Sequence, residues 1–133
     1  MSNQQKWEDA KNILCIRLDS MGDVLMTTPA IRAIKESRPG RRITLFTSPA
    51  GVEVASLVPE FDDIIVYNAP WMKATAPRKD SQPEFDMVEQ LRRAGFDAAV
   101  IFTVYSQNPL PSAFLCYLAD IPLRLAHCHE NPY

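Results

Sequence analysis

A chain of 133 residues is long enough for one domain and too short for two of ordinary size. Its 47% hydrophobic and 23% charged residues exclude a disordered chain and leave enough apolar surface for a core without staples. Fourteen basic residues against sixteen acidic ones, a net charge of −2, exclude the clustered basic face of a nucleic-acid binder.

The first twelve residues are polar and lack the apolar stretch of a secretory signal, so they read as a tail, with the domain running over 13–133. Ile13-Leu14-Cys15-Ile16-Arg17-Leu18 then has the nearly continuous apolar character of a central parallel strand. The loop Asp19-Ser20-Met21-Gly22 leads into a helical stretch from Asp23 to Ser37, with Val24, Ile31 and Ile34 on its inner face. Pro39-Gly40 ends it. Pro29 cannot donate to the Leu25 carbonyl, so either the helix kinks there or Thr28 caps a new one; both alternatives make Gly22 to Thr27 a compact turn.

Ile43 to Thr47 is a second strand, and Ser48-Pro49 opens a short helix running to Val58. Ile64 to Tyr67 is a third strand. The segment Asn68 to Pro83 has no periodicity and exceeds the usual strand-to-helix connection, which marks it as functional or mobile. Trp71 within it stacks on a sugar or staples the loop. A helix from Glu84 to Ala94 closes at Gly95, and Ala98 to Phe102 is a fourth strand. Pro111 to Ala119 is a helix and Leu123 to Ala126 a fifth strand. This alternation predicts a Rossmann-like α/β fold, a parallel sheet with helices on both faces and ligands at its carboxyl edge.

Cys15 and Cys116 sit in apolar runs as small buried hydrophobes, and with Cys128 they form an odd, widely spaced set that fits a reducing compartment. His127-Cys128-His129 puts adjacent ligands on opposite faces, so no metal site is expected. The longest apolar run, Ala113 to Ala119, is too short to span a bilayer. A cytoplasmic protein with at most peripheral membrane contact is the expectation. The basic groups Arg38-Arg41-Arg42, Arg78-Lys79 and Arg92-Arg93 fall near element ends and read as solvated charge.

The first strand-to-helix loop has one glycine, not the three of a dinucleotide fingerprint, and lacks the lysine–hydroxyl pair of a P-loop. Asp19 and Asp23 are four apart, not two, and no D-x-D occurs anywhere. What remains is Asp23 at a helix N-terminus, where the macrodipole favours the ionised form. Such a carboxylate caps the helix or accepts a proton from a sugar hydroxyl. Asp19 either raises the pKa of Asp23 by repulsion or points away. Ser20 bonds a ligand or caps the turn; Arg17 meets an acidic ligand group or pairs with Asp19 or Asp23. Gly22 permits a tight turn and close backbone approach. After the fourth strand, Thr103 to Asn108, with Ser106 and Gln107, is a sugar-recognition loop or an ordinary polar one.

Read as I-L-C-I-R-L-D-S-M-G-D-V-L-M-T-T-P-A-I, residues 13–31 resemble the opening motif of family 9 glycosyltransferases, the ADP-heptose:lipopolysaccharide heptosyltransferase family. The likeness continues through Arg42-Ile43-Thr44-Leu45, Phe96-Asp97-Ala98-Ala99-Val100-Ile101 and Arg124-Leu125-Ala126. It implies the N-terminal, acceptor-side half of a GT-B glycosyltransferase, two Rossmann-like domains facing across a cleft. It implies Asp23 as catalytic base of an inverting, metal-independent transfer to a glycan or glycolipid acceptor, for which the residue chemistry above offers Arg17, Ser20, Gly22, Ser106 and Gln107 as candidate contacts. No cofactor is implied; the nucleotide-sugar donor, ADP-heptose by resemblance, would bind mainly a C-terminal domain that is absent here. The chain is therefore expected to be inactive alone, as part of a longer enzyme. Two rival readings are a stand-alone sugar- or nucleotide-binding module and a noncatalytic interaction domain.

Overall fold

A computed structural model of the chain describes residues 2–128. His129 and residues 130–133 lie outside it, so the His127-Cys128-His129 triplet is described only in part.

The expected tail is a helix. In α1 (Asn3–Asp9), Ser2 is the N-cap, its hydroxyl accepting from the Gln5 amide, and Trp7 packs against the core. The segment has one large apolar residue and no periodicity, so it owes its helicity to docking and capping rather than to pattern.

Five strands follow: β1 (Asn12–Arg17), β2 (Arg42–Thr47), β3 (Asp63–Val66), β4 (Ala98–Ile101) and β5 (Leu123–Ala126). They form one parallel sheet in the order β3-β2-β1-β4-β5. Between them run α2 (Met21–Glu36), α3 (Pro49–Ala55), α4 (Gln82–Ala94) and α5 (Leu110–Leu118). Alternate residues of the central strands go to opposite faces. Ile13, Cys15, Ile43, Leu45, Ala98 and Val100 meet Val24 and Ile31 of α2 and Ala55 of α3 on one side. Leu14, Ile16, Phe46, Ala99 and Ile101 meet Leu91 of α4 with Leu115 and Cys116 of α5 on the other. The Rossmann-like α/β fold with helices on both faces is therefore the observed one.

The strand order reverses between β1 and β4, which makes the carboxyl ends of these two strands the switch point where ligands bind in open α/β sheets. At the opposite, amino edge the same two strands are clasped. The Asp97 carboxylate accepts from the backbone amides of Lys11 (3.0 Å) and Asn12 (2.8 Å), while the Asn12 side chain donates to the Ala94 and Gly95 carbonyls. Nearby, the Arg41 guanidinium donates to the Trp7 and Ala10 carbonyls at the end of α1 and to the Ile34 carbonyl near the end of α2. It serves helix ends rather than solvent.

Two helix boundaries depart from the sequence reading. α2 begins at Met21 and runs through Pro29 without a break, so Gly22 to Thr27 is helix, not a compact turn. Val24, Thr27 and Ile31, buried at helical spacing, hold it down on both sides of the proline. α4 begins at Gln82, with Pro83 in the first turn where no donor is needed.

Candidate functional site

β1 ends in Arg17, which is buried because the strand is central, yet its long side chain turns to the carboxyl edge. There its Nε lies 3.0 Å from Asp19 Oδ2 and its Nη2 lies 3.2 Å from Asp23 Oδ1. One guanidinium thus faces two carboxylates. The side chains are 10% exposed for Arg17, 7% for Asp19 and 33% for Asp23, so of the three Asp23 is the one open to solvent.

Asp23 and Ser20 form a reciprocal cap on α2. Ser20 Oγ donates to Asp23 Oδ2 at 2.9 Å, the Ser20 amide donates to the same oxygen at 3.3 Å, and the Asp23 amide donates to Ser20 Oγ at 3.4 Å. Partial burial pushes the Asp23 carboxyl up, but the Ser20 hydroxyl and amide, together with Arg17, outweigh it and hold the group below its ordinary range. Asp19 does not reverse this, because Arg17 stands against both carboxylates.

Asp19 instead ties three loops. Gln107, after β4, donates its side-chain amide to Asp19 Oδ1 at 2.7 Å, and Ser48, after β2, donates its hydroxyl to the Asp19 carbonyl at 2.8 Å. Between these loops opens a cavity of about 980 Å³, lined by Leu18, Asp19 and Ser20 after β1 and by Phe102, Ser106 and Gln107 after β4. The loop after β3 closes its side with Asn68, Trp71, Met72 and Thr75. That loop is folded and anchored. Thr75 Oγ1 donates to Asn68 Oδ1 at 2.8 Å, Arg78 donates to the Asn68 carbonyl, and Arg78 pairs with Glu84 of α4, whose carboxylate also takes the Tyr67 hydroxyl.

Of the expected site residues, Ser20, Ser106 and Gln107 line the cavity; Arg17, Gly22 and Asp23 do not. Asp23 stands at the rim, bonded to the lining residue Ser20. Gly22 is in the first turn of α2, where an added Cβ would meet only Ser20 Oγ, at 3.8 Å, so no tight turn demands glycine. Sequence reasoning missed Asp19 as the joint of three loops and Met72 as cavity wall. Both depend on contacts between segments far apart in the chain.

In three dimensions the chain is similar to solved glycosyltransferases. A family 9 glycosyl transferase from Veillonella parvula superposes with a TM-score of 0.67 at 19% identity, covering 88% of this chain and 32% of that one. The E. coli ADP-heptose LPS heptosyltransferase II gives 0.68 at 21%, covering 86% and 30%, and the E. coli heptosyltransferase WaaC with ADP gives 0.62 at 21%, covering 88% and 35%. The chain shares the fold of the part of each of these proteins that it covers. The chain spans about a third of the length of each of these proteins. No family model matches the sequence, and no curated protein is similar to it at a significant level. The family 9 resemblance read from the motif around Asp23 thus has its counterpart in the fold, with Asp23 at the sheet edge where such a fold binds ligands. Among the described residues no three His, Cys, Asp or Glu side chains gather as a metal cage, and no helix is long and apolar enough to cross a membrane.

Proposed function

We propose that the chain is the acceptor-side domain of an inverting, metal-independent GT-B glycosyltransferase and that Asp23 is its catalytic base. The observation that carries this is the placement of a one-third-exposed, ionised carboxylate at the rim of the switch-point cavity. Ser20 and Arg17 hold Asp23 in one orientation, and Oδ1, which meets only Arg17 among the bonds described, keeps a lone pair while Oδ2 takes both Ser20 donors. An acceptor hydroxyl bound over Ser20 would lose its proton to Asp23 as its oxygen attacks the anomeric carbon from the face opposite the leaving nucleotide. A carboxylate of depressed pKa is a weak base toward a free hydroxyl. It suffices once attack has made that hydroxyl strongly acidic.

The nucleotide-sugar, ADP-heptose in keeping with the relatives, would be held mainly by a second domain outside this chain, on the cytoplasmic side of a membrane that supplies a glycan or glycolipid acceptor. Turnover requires both halves to fix the reactants and exclude water, so the 133-residue chain alone is expected to be inactive. The test is a transferase assay of the longest natural form of the protein with ADP-heptose and a chelator present. Inverted product formed without metal, and lost in Asp23→Asn, supports the reading. Binding without transfer favours a sugar-binding module, and transfer undiminished in Asp23→Asn rules Asp23 out as base.

A further inference from the structure

The cavity beside Asp23 has an uneven lining. Its wall is largely carbon: Leu18 from the end of β1, Phe102 beyond β4, and Ala69, Trp71 and Met72 from the loop after β3. Among the described residues, Asp19 and Lys73 are the only charged groups on it. Asp19 is already engaged by Arg17 and Gln107, and Lys73 is exposed on the outer loop. Arg78, the next basic residue along, is taken by Glu84. A ligand rich in phosphate or carboxylate would find one solvated cation, while two carboxylates, Asp19 and Asp23, share a single guanidinium beside it. Charge therefore selects against an acidic ligand here.

We infer that this site takes a neutral sugar bearing an apolar group, alkyl or aromatic, which seats against Trp71, Met72 and Phe102 while a sugar hydroxyl is held at the rim by Ser20 and Asp23. The inference rests on the acceptor-site reading above and adds the class of acceptor. It accounts for the position of Asp23 beside the cavity rather than inside it: the apolar group fills the hollow, and the reacting hydroxyl stays at the mouth. Apolar burial away from the reacting atom supplies binding energy that orients the hydroxyl. At about 980 Å³ the hollow is wide enough for more than a lone sugar ring. Trp71 is braced edge-on against Tyr67, with ring centroids 5.9 Å apart, so it offers a fixed apolar surface at little ordering cost.

The test is titration of the nitrogen-labelled 133-residue chain with phenyl and hexyl β-D-glucosides, glucose and glucose 6-phosphate, followed by amide shifts. Both glucosides should shift amides of residues 69–72 and 103–107 and bind at least about tenfold more tightly than glucose, the order expected for burying half a phenyl ring. Glucose 6-phosphate should bind no better than glucose. A clear preference for phenyl over hexyl identifies an aromatic group, and parity an alkyl or lipid one. Trp71→Ala should abolish most of the tenfold gain, with amide dispersion reporting whether it folds; Met72→Ser is the substitute if it does not. Tighter binding of the phosphate, glucosides no better than glucose, or shifts confined elsewhere would overturn the inference. No turnover is involved, so the two ideas fail separately. A transferase still active as Asp23→Asn ends the base reading, whereas an Asp23-dependent enzyme whose domain ignores apolar glucosides ends this one.

Discussion

The two edges of the sheet use aspartate in opposite ways. At the amino edge Asp97 spends its carboxylate on two backbone amides that fix the entry to β1 beside β4. At the carboxyl edge Asp19 and Asp23 crowd onto one arginine, and Asp23 is left partly open beside a cavity. The first arrangement is what stability asks for: backbone donors satisfied and nothing held back. The second also serves the fold, since Asp23 caps α2 and Asp19 joins three loops, but it leaves one carboxylate accessible, which is what the proposed reaction asks for.

Substitutions at the two edges should separate these roles. In the longest natural form, Asp23→Asn should cost between about a hundredfold and ten-thousandfold in turnover, and the capping change should cost stability by no more than about 1 kcal/mol. Asp97→Ala should do the reverse. Losing the partner of two amides should lower stability by about 1–3 kcal/mol in a urea melt, while activity per folded molecule is kept.

The glycines extend the contrast. A Cβ on Gly51 would lie 2.2 Å from Thr47 Oγ1 and 3.0 Å from Val24 Cγ2, where α3 packs on β2 and α2. Gly51→Ala should therefore destabilise by about 1–3 kcal/mol. Gly22→Ala, with open space in the first turn of α2, should be neutral or stabilising by up to about 1 kcal/mol in the same melt. If it lowers acceptor affinity without harming the fold, Gly22 is kept for close approach of a ligand.

Acid should act on both functions, with a sign that follows from the depressed carboxyls. Asp62 is pushed up by partial burial but held lower overall by Lys35, the Ile43 amide and Arg42, and Asp23 is likewise held low. As pH falls, the unfolded chain takes up these protons first. The stability they contribute is complete above the ordinary carboxylate range and drains as pH drops through the folded-state values. A urea-midpoint series should thus decline below about pH 4, and Asp62→Asn should flatten part of that decline. Transferase activity should keep its acidic limb below the ordinary carboxylate range, since Asp23 stays ionised until then.

The smallest effect concerns the thiols. Burial pushes Cys15 and Cys116 up to about 12, whereas Cys128 is partly exposed. A disulfide reagent at pH 8 should label Cys128 alone in the folded chain and all three cysteines in denaturant.

Much of this was legible in the sequence, for identifiable reasons. The five strands stand within one or two residues of where their apolar runs put them: β1, β2 and β4 because a central parallel strand has no polar face to blur its signal, and the edge strands β3 and β5 because short apolar runs between turn residues still mark them. α1 was not legible, since its one anchor, Trp7, has meaning only once the core exists. Pro29 misled, because packing of Val24 and Ile31 on either side of it carries α2 through a position that local rules would break. At the site, Asp23 was readable from its place at a helix start. The reach of Asp19 to Gln107, 88 residues away, and the anchoring of the loop after β3 by Arg78 and Glu84 were not, because no local pattern encodes either contact.

The most direct measurement compares initial rates of sugar transfer by the longest natural form carrying Asp23→Asn or Asp97→Asn, each normalised to the folded fraction from amide dispersion or a melt. A folded but nearly inactive Asp23→Asn beside a weakened but active Asp97→Asn is the predicted result. Equal activity per folded molecule in the two variants would contradict the assignment of Asp23 as base.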